Sequence, residues 1–197
     1  GPYTEPYEDK LVAKIVEEVK SGEVPLWGVA SRIRKYFKKV NVEAAYIFSV
    51  KYMEDHHILG GCTESALLTS AVFRKLGYPT AILITIVVDS VFLDPTKDRV
   101  IENHVLNLVY KNNAWWLYDT NMVIKTPTRF IFQRLFHTGL LPALIIRDPE
   151  DVGIKSRADE YYYALHNLKD ILLLDLQKDI VDQNKLLTYK TYKFDQD

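Results

Sequence analysis

The sequence predicts an α+β fold. Apolar residues recur at helical spacing towards both ends of the chain, whereas its middle changes to short β-branched and apolar runs separated by turn residues. A third observation locates the chemistry: Cys62, the only cysteine among 197 residues, follows two glycines and opens a helix-forming run. A chain of this length suits one domain, expected over residues 3–197, with a helical N-terminal part (7–53), a core (58–121) and a helical C-terminal extension (127–185). No internal repeat or low-complexity linker marks a second domain.

Leu11, Val12, Ile15, Val16 and Val19 give Tyr7 to Lys20 one apolar stripe, closed by Ser21-Gly22, so a helix is expected there. A second is expected from Val24 to Lys39, with Leu26, Trp27, Ala30, Ile33, Phe37 and Val40 on its apolar face. Its basic residues Arg32, Arg34, Lys35, Lys38 and Lys39 read as a solvated face. Glu43 to Met53 fits helix or strand and is assigned as helix, leading into a loop from Glu54 to Gly61. The helix from Cys62 runs to Leu76 and stops at Gly77 and Pro79; its Ala66, Ser70 and Ala71 allow close approach to a sheet. Thr80 to Val88 is almost continuously apolar or β-branched, as a well-buried strand should be, and Asp94 to Asp98 reads as a loop. His104 to Tyr110 and Ala114 to Asp119 follow as two short strands. Thr128 to His137, between Pro127 and Gly139, and Ala158 to Val181 are the remaining helices. Tyr161, Tyr162 and Tyr163 either pack in the core or rim a cleft, and Leu186 to Asp197 is an edge strand or a frayed tail.

Composition excludes some functions. A formal net charge of -1 argues against nucleic acid as the main partner, since phosphate binding calls for a basic surplus. No apolar run reaches the roughly 18 residues of a membrane span. No signal peptide is visible, and Gly1-Pro2 has the character of a cleaved tag's scar, so a removed targeting segment and the compartment stay open. One cysteine cannot form an internal disulfide, which leaves it reactive or buried. Taken alone, a free cysteine reads as a small buried hydrophobe. Its place at a helix start changes that reading, because thiols there are stabilised as thiolates by unpaired N–H groups and the helix dipole.

The two central strands supply partners. Asn112-Asn113 suits the positive φ angles of a two-residue hairpin turn, and a turn centred there pairs residues whose numbers sum to 225, setting Leu106 opposite Asp119. His104 then shares a face with Asp119, diagonal to it at about 7 to 8 Å between Cα atoms, a gap that imidazole and carboxylate can bridge. A three-residue loop would place them on opposite faces. Cysteine, histidine and aspartate so arranged suggest nucleophilic catalysis.

Two stretches resemble the transglutaminase-like superfamily, the papain-related group of transglutaminases, microbial proteases and peptide N-glycanases. The first is Gly60-Gly61-Cys62 through Leu76-Gly77-Tyr78-Pro79, similar to the family's G-x-C helix start and G-[IYF]-P stop. The second is His104 to Tyr110 and Trp115 to Asn121, similar to H-A-W-x-E-V-Y followed by W-x-x-x-D-P-T. The match covers residues 58–121. Leu106, Leu108 and Thr120-Asn121 depart from the pattern, where the family has Trp, Glu and Pro-Thr, and put substrate preference in question.

The resemblance implies a papain-like core, with the Cys62 helix packed on an antiparallel sheet carrying His104 and Asp119. It implies acyl transfer from amide bonds of peptide or protein substrates by a Cys62, His104 and Asp119 triad, without a cofactor. Hydrolysis is the expected outcome; transfer to an amine and a catalytically silent binding domain are the alternatives. The Cys62 N–H is a first oxyanion donor. Trp27, through its indole N–H, and His56 or His57, just before the Gly-Gly turn, are candidates for the second, although Trp27 reads first as a core residue on an amphipathic helix. Glu54-Asp55-His56-His57 is not assigned as a metal site, since adjacent side chains seldom converge on one ion. His137 and His166 lie outside the motif and read as surface or packing residues. The oligomeric state is not legible.

Overall fold

The structure is a computed structural model that describes residues 1–41, 46–87, 102–160 and 162–164. Helix α1 (Leu11–Lys20) begins later than its apolar stripe suggests. The buried Glu54 carboxylate accepts the N–H groups of Tyr7 at 2.9 Å and Val12 at 3.2 Å, which holds the preceding segment outside the helix. The single helix expected over 24–39 is instead a 3₁₀ turn (Leu26–Gly28), helix α2 (Val29–Tyr36) and strand β1 (Lys38–Lys39). Phe37 turns extended, and the Lys38 and Val40 N–H groups then pair with the carbonyls of His57 and Leu59, so strand pairing replaces the last helical turn. Arg34, Lys35, Lys38 and Lys39 are exposed, and Arg32 is paired with Glu18 at 3.1 Å.

The helix assigned to 43–53 is also displaced. Residues 42–45 lie outside the described residues, and α3 (Val50–His56) starts after Ser49, whose Oγ accepts the Tyr52 N–H at 3.2 Å. The expected loop at 54–61 therefore contains the end of α3, His57 in the left-handed region, and β2 (Ile58–Leu59), which is parallel to β1. Helix α4 (Cys62–Lys75) and strand β3 (Thr80–Val87) agree with expectation; Val88 and the loop at 94–98 lie outside the described residues.

Strands β4 (Asn103–Lys111) and β5 (Ala114–Tyr118) form the hairpin in the expected register, from Lys111 opposite Ala114 to Asn107 opposite Tyr118. Asn112 and Asn113 both have positive φ, 52° and 60°, the signature of the two-residue turn whose twist matches the strands. Helix α5 (Ile131–His137) starts after Thr128, which is held in a bridge to Leu117. Within the C-terminal part expected to be helical, residues Leu140–Ile146 form β6, antiparallel to β3. The apolar run carries no period that separates buried helix from buried strand, and its partner is remote in sequence. Pro142 is accommodated because β6 is an edge strand with an irregularity between Ile84 and Thr85 of its partner. Residues 157–160 and 162–164 are helical; the rest of the helix expected to Val181, His166 and the tail from Leu186 lie outside the described residues. Tyr162 is exposed, which removes it from the core, Tyr163 is partly buried, and Tyr161 is not described.

The sheet order is β5-β4-β3-β6, antiparallel throughout. Alternation along its strands divides the apolar residues between two cores. Ile82, Ile84, Ile86, Val105, Val109, Tyr118, Leu144 and Ile146 face α4 and the N-terminal helices. Ala81, Leu83, Leu106, Leu108, Leu117 and Ile145 meet Ile131 and Leu135 of α5. This two-sided cover explains the unbroken apolar run of β3. Among the described residues no helix is long and apolar enough to cross a membrane.

Candidate active site

Cys62 is the first residue of α4, after Gly61 in extended conformation, and is half-buried. Glu64 completes the helix start by accepting the Gly61 N–H at 3.1 Å. Gly60 is required by this contact: a Cβ there would lie 2.6 Å from the Glu64 carboxyl carbon. Glu64 is fully buried, and Arg157 offsets its charge with an Nη2–Oε1 distance of 2.5 Å. Both glycines and Arg157, with Lys39, Val40 and Asn41, line an open cleft of about 550 Å³ beside the cysteine.

His104 stands near the start of β4, opposite Thr85, whose Oγ1 donates to the His104 carbonyl at 2.7 Å. Asp119 follows the last residue of β5. The chain turns tightly over 119–122, and the Asp119 carboxylate accepts the N–H groups of Asn121 at 2.9 Å and of Val123 and Ile124 at 3.1 Å. That wrapping fixes Oδ2, which meets His104 Nε2 at 2.8 Å, both residues being buried. The expected sharing of one sheet face by His104 and Asp119 is thus present as a direct contact.

Cys62 acts on the same imidazole electrostatically. Burial pulls the His104 pKa down, but its hydrogen bonds to Asp119 and Cys62, and their charges, outweigh that and push it up to about 9. With Nε2 committed to Asp119, Nδ1 is the nitrogen left for Cys62, and a protonated ring donates from both. The arrangement can hold a protonated ring between Asp119 and Cys62.

The three side chains considered as second oxyanion donors are not joined to this group by any hydrogen bond among the described residues. Trp27 packs on Phe73, about three helical turns beyond Cys62, and on Trp116 and Tyr118. Its carbonyl accepts the Tyr118 hydroxyl at 2.8 Å, so the residue closes an aromatic cluster. His56 is exposed, its ring tilted against that of Tyr52, with Nδ1 2.9 Å from the Tyr52 carbonyl of its own helix. His57 is exposed and caps α3, and His137 is exposed on α5. No group of three or more His, Cys, Asp or Glu side chains suited to a metal ion occurs among the described residues.

Several residues around the site were not visible in the sequence. Ser65 donates to Asn121 Oδ1 at 3.0 Å, and the Thr69 and Thr120 hydroxyls meet at 2.5 Å, so the two positions that depart from the family pattern bind α4. Glu160 accepts from Thr63 and Asn103. Their signal is polarity on a helix buried all round, which demands partners without naming them.

No family model matches the chain, and no curated protein matches it. A solved structure from Cytophaga hutchinsonii, described as a "Putative Cysteine Protease", is similar at 16% identity and a TM-score of 0.48 over 79% of this chain and 49% of that one. The chain thus spans about half the length of that structure. A likeness of this size bears on neither activity nor residue roles.

Proposed function

We propose that this protein is a cysteine-dependent acyl-transfer enzyme acting on amide bonds of peptides or proteins, most simply as a hydrolase. The observation that carries the reading is a buried imidazole, His104, with Nε2 2.8 Å from Asp119, on which the only cysteine, at the start of α4, also acts electrostatically.

In this reading the Cys62 thiolate attacks the substrate carbonyl, and the new C–S bond forms as the carbonyl oxygen takes up negative charge. The Cys62 N–H, among the first-turn groups of α4 that lack an intrahelical acceptor, donates to that oxygen. The His104 imidazolium, at the nitrogen facing Cys62, protonates the departing amine as the C–N bond breaks. The neutral ring then takes a proton from water, whose oxygen attacks the thioester; the C–S bond breaks, the acid leaves, and the thiolate and imidazolium are restored. Asp119 holds the ring in place and stabilises its charge at both stages. The open cleft lined by Gly60 and Gly61, the two residues before Cys62, supports approach of a substrate from that side.

The test is the rate of Cys62 alkylation by iodoacetamide against pH, for wild type and His104→Ala. Wild type should stay reactive well below the ordinary thiol pKa of about 8.5, and the variant should lose that reactivity. A wild-type profile like that of a model thiol, unchanged in the variant, refutes the reading. Release of a fluorogenic amine from peptide amides, set against incorporation of a labelled amine into a glutamine-containing protein, separates water from amine as acceptor.

A further inference from the structure

We infer that Glu160 is a positioning residue that joins the segment carrying Cys62 to the segment carrying His104 and so sets their spacing. The inference rests on the catalytic reading above and adds to it a residue outside the sequence motif. Glu160 is buried, 3% exposed, on the helical segment at 157–160. Its carboxylate accepts from Thr63 Oγ1, at 2.8 Å to Oε2 and 3.1 Å to Oε1, and from Asn103 Nδ2, at 2.5 Å to Oε1. Thr63 directly follows Cys62, and Asn103 directly precedes His104. One carboxylate therefore links the neighbours of the two residues whose contact the chemistry needs.

The same helical segment grips α4 a second time, through Arg157 and Glu64. Below this point, the next side-chain bond between α4 and β4 is from Asn107 to Ala66 and Ser70, about one turn further along the helix. Glu160 thus controls the open end of the α4 and β4 pair, where a small splay would separate thiolate from imidazolium. The charged groups acting on it are Glu64 of α4 and Arg157 of its own segment, with His104 next to Asn103 on β4. A buried carboxylate costs more than an apolar side chain unless it is well satisfied, and here its donors come from two different elements.

The test uses Cys62 alkylation by iodoacetamide against pH for wild type, Glu160→Ala, Glu160→Gln and Thr63→Val, with thermal melting of each. Because Cys62 is the only cysteine, the label reports one site. Glu160→Ala should lower the rate on the low-pH limb by about tenfold to a hundredfold, as expected for a misplacement near 1 Å, and leave the rate well above the ordinary thiol pKa within about twofold. Glutamine keeps an acceptor for Thr63, and a rotated Asn103 carboxamide can accept its N–H, so Glu160→Gln should restore the limb to within about threefold. Thr63→Val removes one leg of the link and should lower the limb partway, which keeps the test decisive if the alanine variant fails to fold. A wild-type low-pH limb that survives both Glu160→Ala and Thr63→Val overturns the inference alone. Equal loss at all pH values, tracking a fall in melting temperature, also overturns it, because the role is then only structural. A wild type lacking the limb refutes the catalytic reading, and this inference with it.

Discussion

Asp119→Asn is the substitution for which the structure gives the sharpest expectation. The carboxylate serves four donors: Oδ1 accepts from Asn121 N–H, while Oδ2 accepts from Val123 N–H, Ile124 N–H and His104 Nε2. Asparagine best places its oxygen at the Oδ2 position, which leaves its amide facing the Asn121 N–H, donor against donor. Loss of that buried bond should cost about 1 to 3 kcal/mol of stability. The larger consequence is electrostatic. Raising His104 from 6.5 to about 9 amounts to about 3 kcal/mol of preference for the charged ring. Removing the Asp119 charge deletes the principal raising cause, while desolvation still lowers the pKa and Cys62 still raises it, so the ring in the variant should titrate clearly below the wild-type value.

The sign for stability follows. In wild type the raised pKa contributes stability that is complete below about pH 6.5 and is lost as pH rises through about 9; in Asp119→Asn that window of loss should narrow. NMR titration of the histidine ring protons, with His104 assigned by its absence in His104→Ala, measures the shift directly. Urea unfolding at several pH values between about 6 and 9.5 measures the stability window. A wild-type ring titrating near 6.5, or a variant ring titrating where the wild-type ring does, would refute the electrostatic argument for the pair.

Two other substitutions probe the scaffold. Gly60→Ala would put a methyl group against the Glu64 carboxyl, forcing that side chain off the Gly61 N–H and Arg157; Cys62 alkylation at low pH should fall by at least about tenfold, and a variant as reactive as wild type would show that the close approach is not needed. Asn107 is fully buried, and its Nδ2 lies within 3.0 to 3.2 Å of Ser70 Oγ, the Ala66 carbonyl and the Ala81 carbonyl; Asn107→Ala should lower unfolding free energy by about 1 to 3 kcal/mol in urea, and a change under about 0.5 kcal/mol would mean these bonds contribute no net stability.

What the sequence disclosed divides along the range of the interactions. The hairpin was legible because Asn112-Asn113 encodes its own turn, and once the turn is fixed every cross-strand pair follows, including the face shared by His104 and Asp119. The start of α4 was legible for the same reason. By contrast, β6 is a strand only because β3 is available at the edge of the sheet, and residues 38–39 leave the helical pattern only because β2 offers hydrogen bonds. No local property of Leu140 to Ile146 separates the two outcomes. Trp27 carries the apolar spacing of a core residue and packs as one, whereas His56 and His57 were singled out by nearness in sequence to Cys62, and α3 turns them to solvent.

The polar side chains of α4 are the last feature to account for, because a helix buried over Thr63 to Phe73 gains nothing from threonine, serine and glutamate by burial alone. Each is answered from outside the helix. Thr63 bonds Glu160, Glu64 pairs with Arg157, Ser65 bonds Asn121, Thr69 bonds Thr120, and Ser70 accepts from Asn107. Four of these five partners lie within four residues of His104 or Asp119 in sequence, or bond a residue that does. An apolar α4 could pack against the same sheet at many small offsets, since dispersion contacts are not directional. Hydrogen bonds spaced along the first two and a half turns allow only one offset, and that offset fixes where Cys62 stands relative to His104. Polarity in this helix therefore serves register: stability comes from the apolar residues that it interrupts, and the position of the thiol from the interruptions.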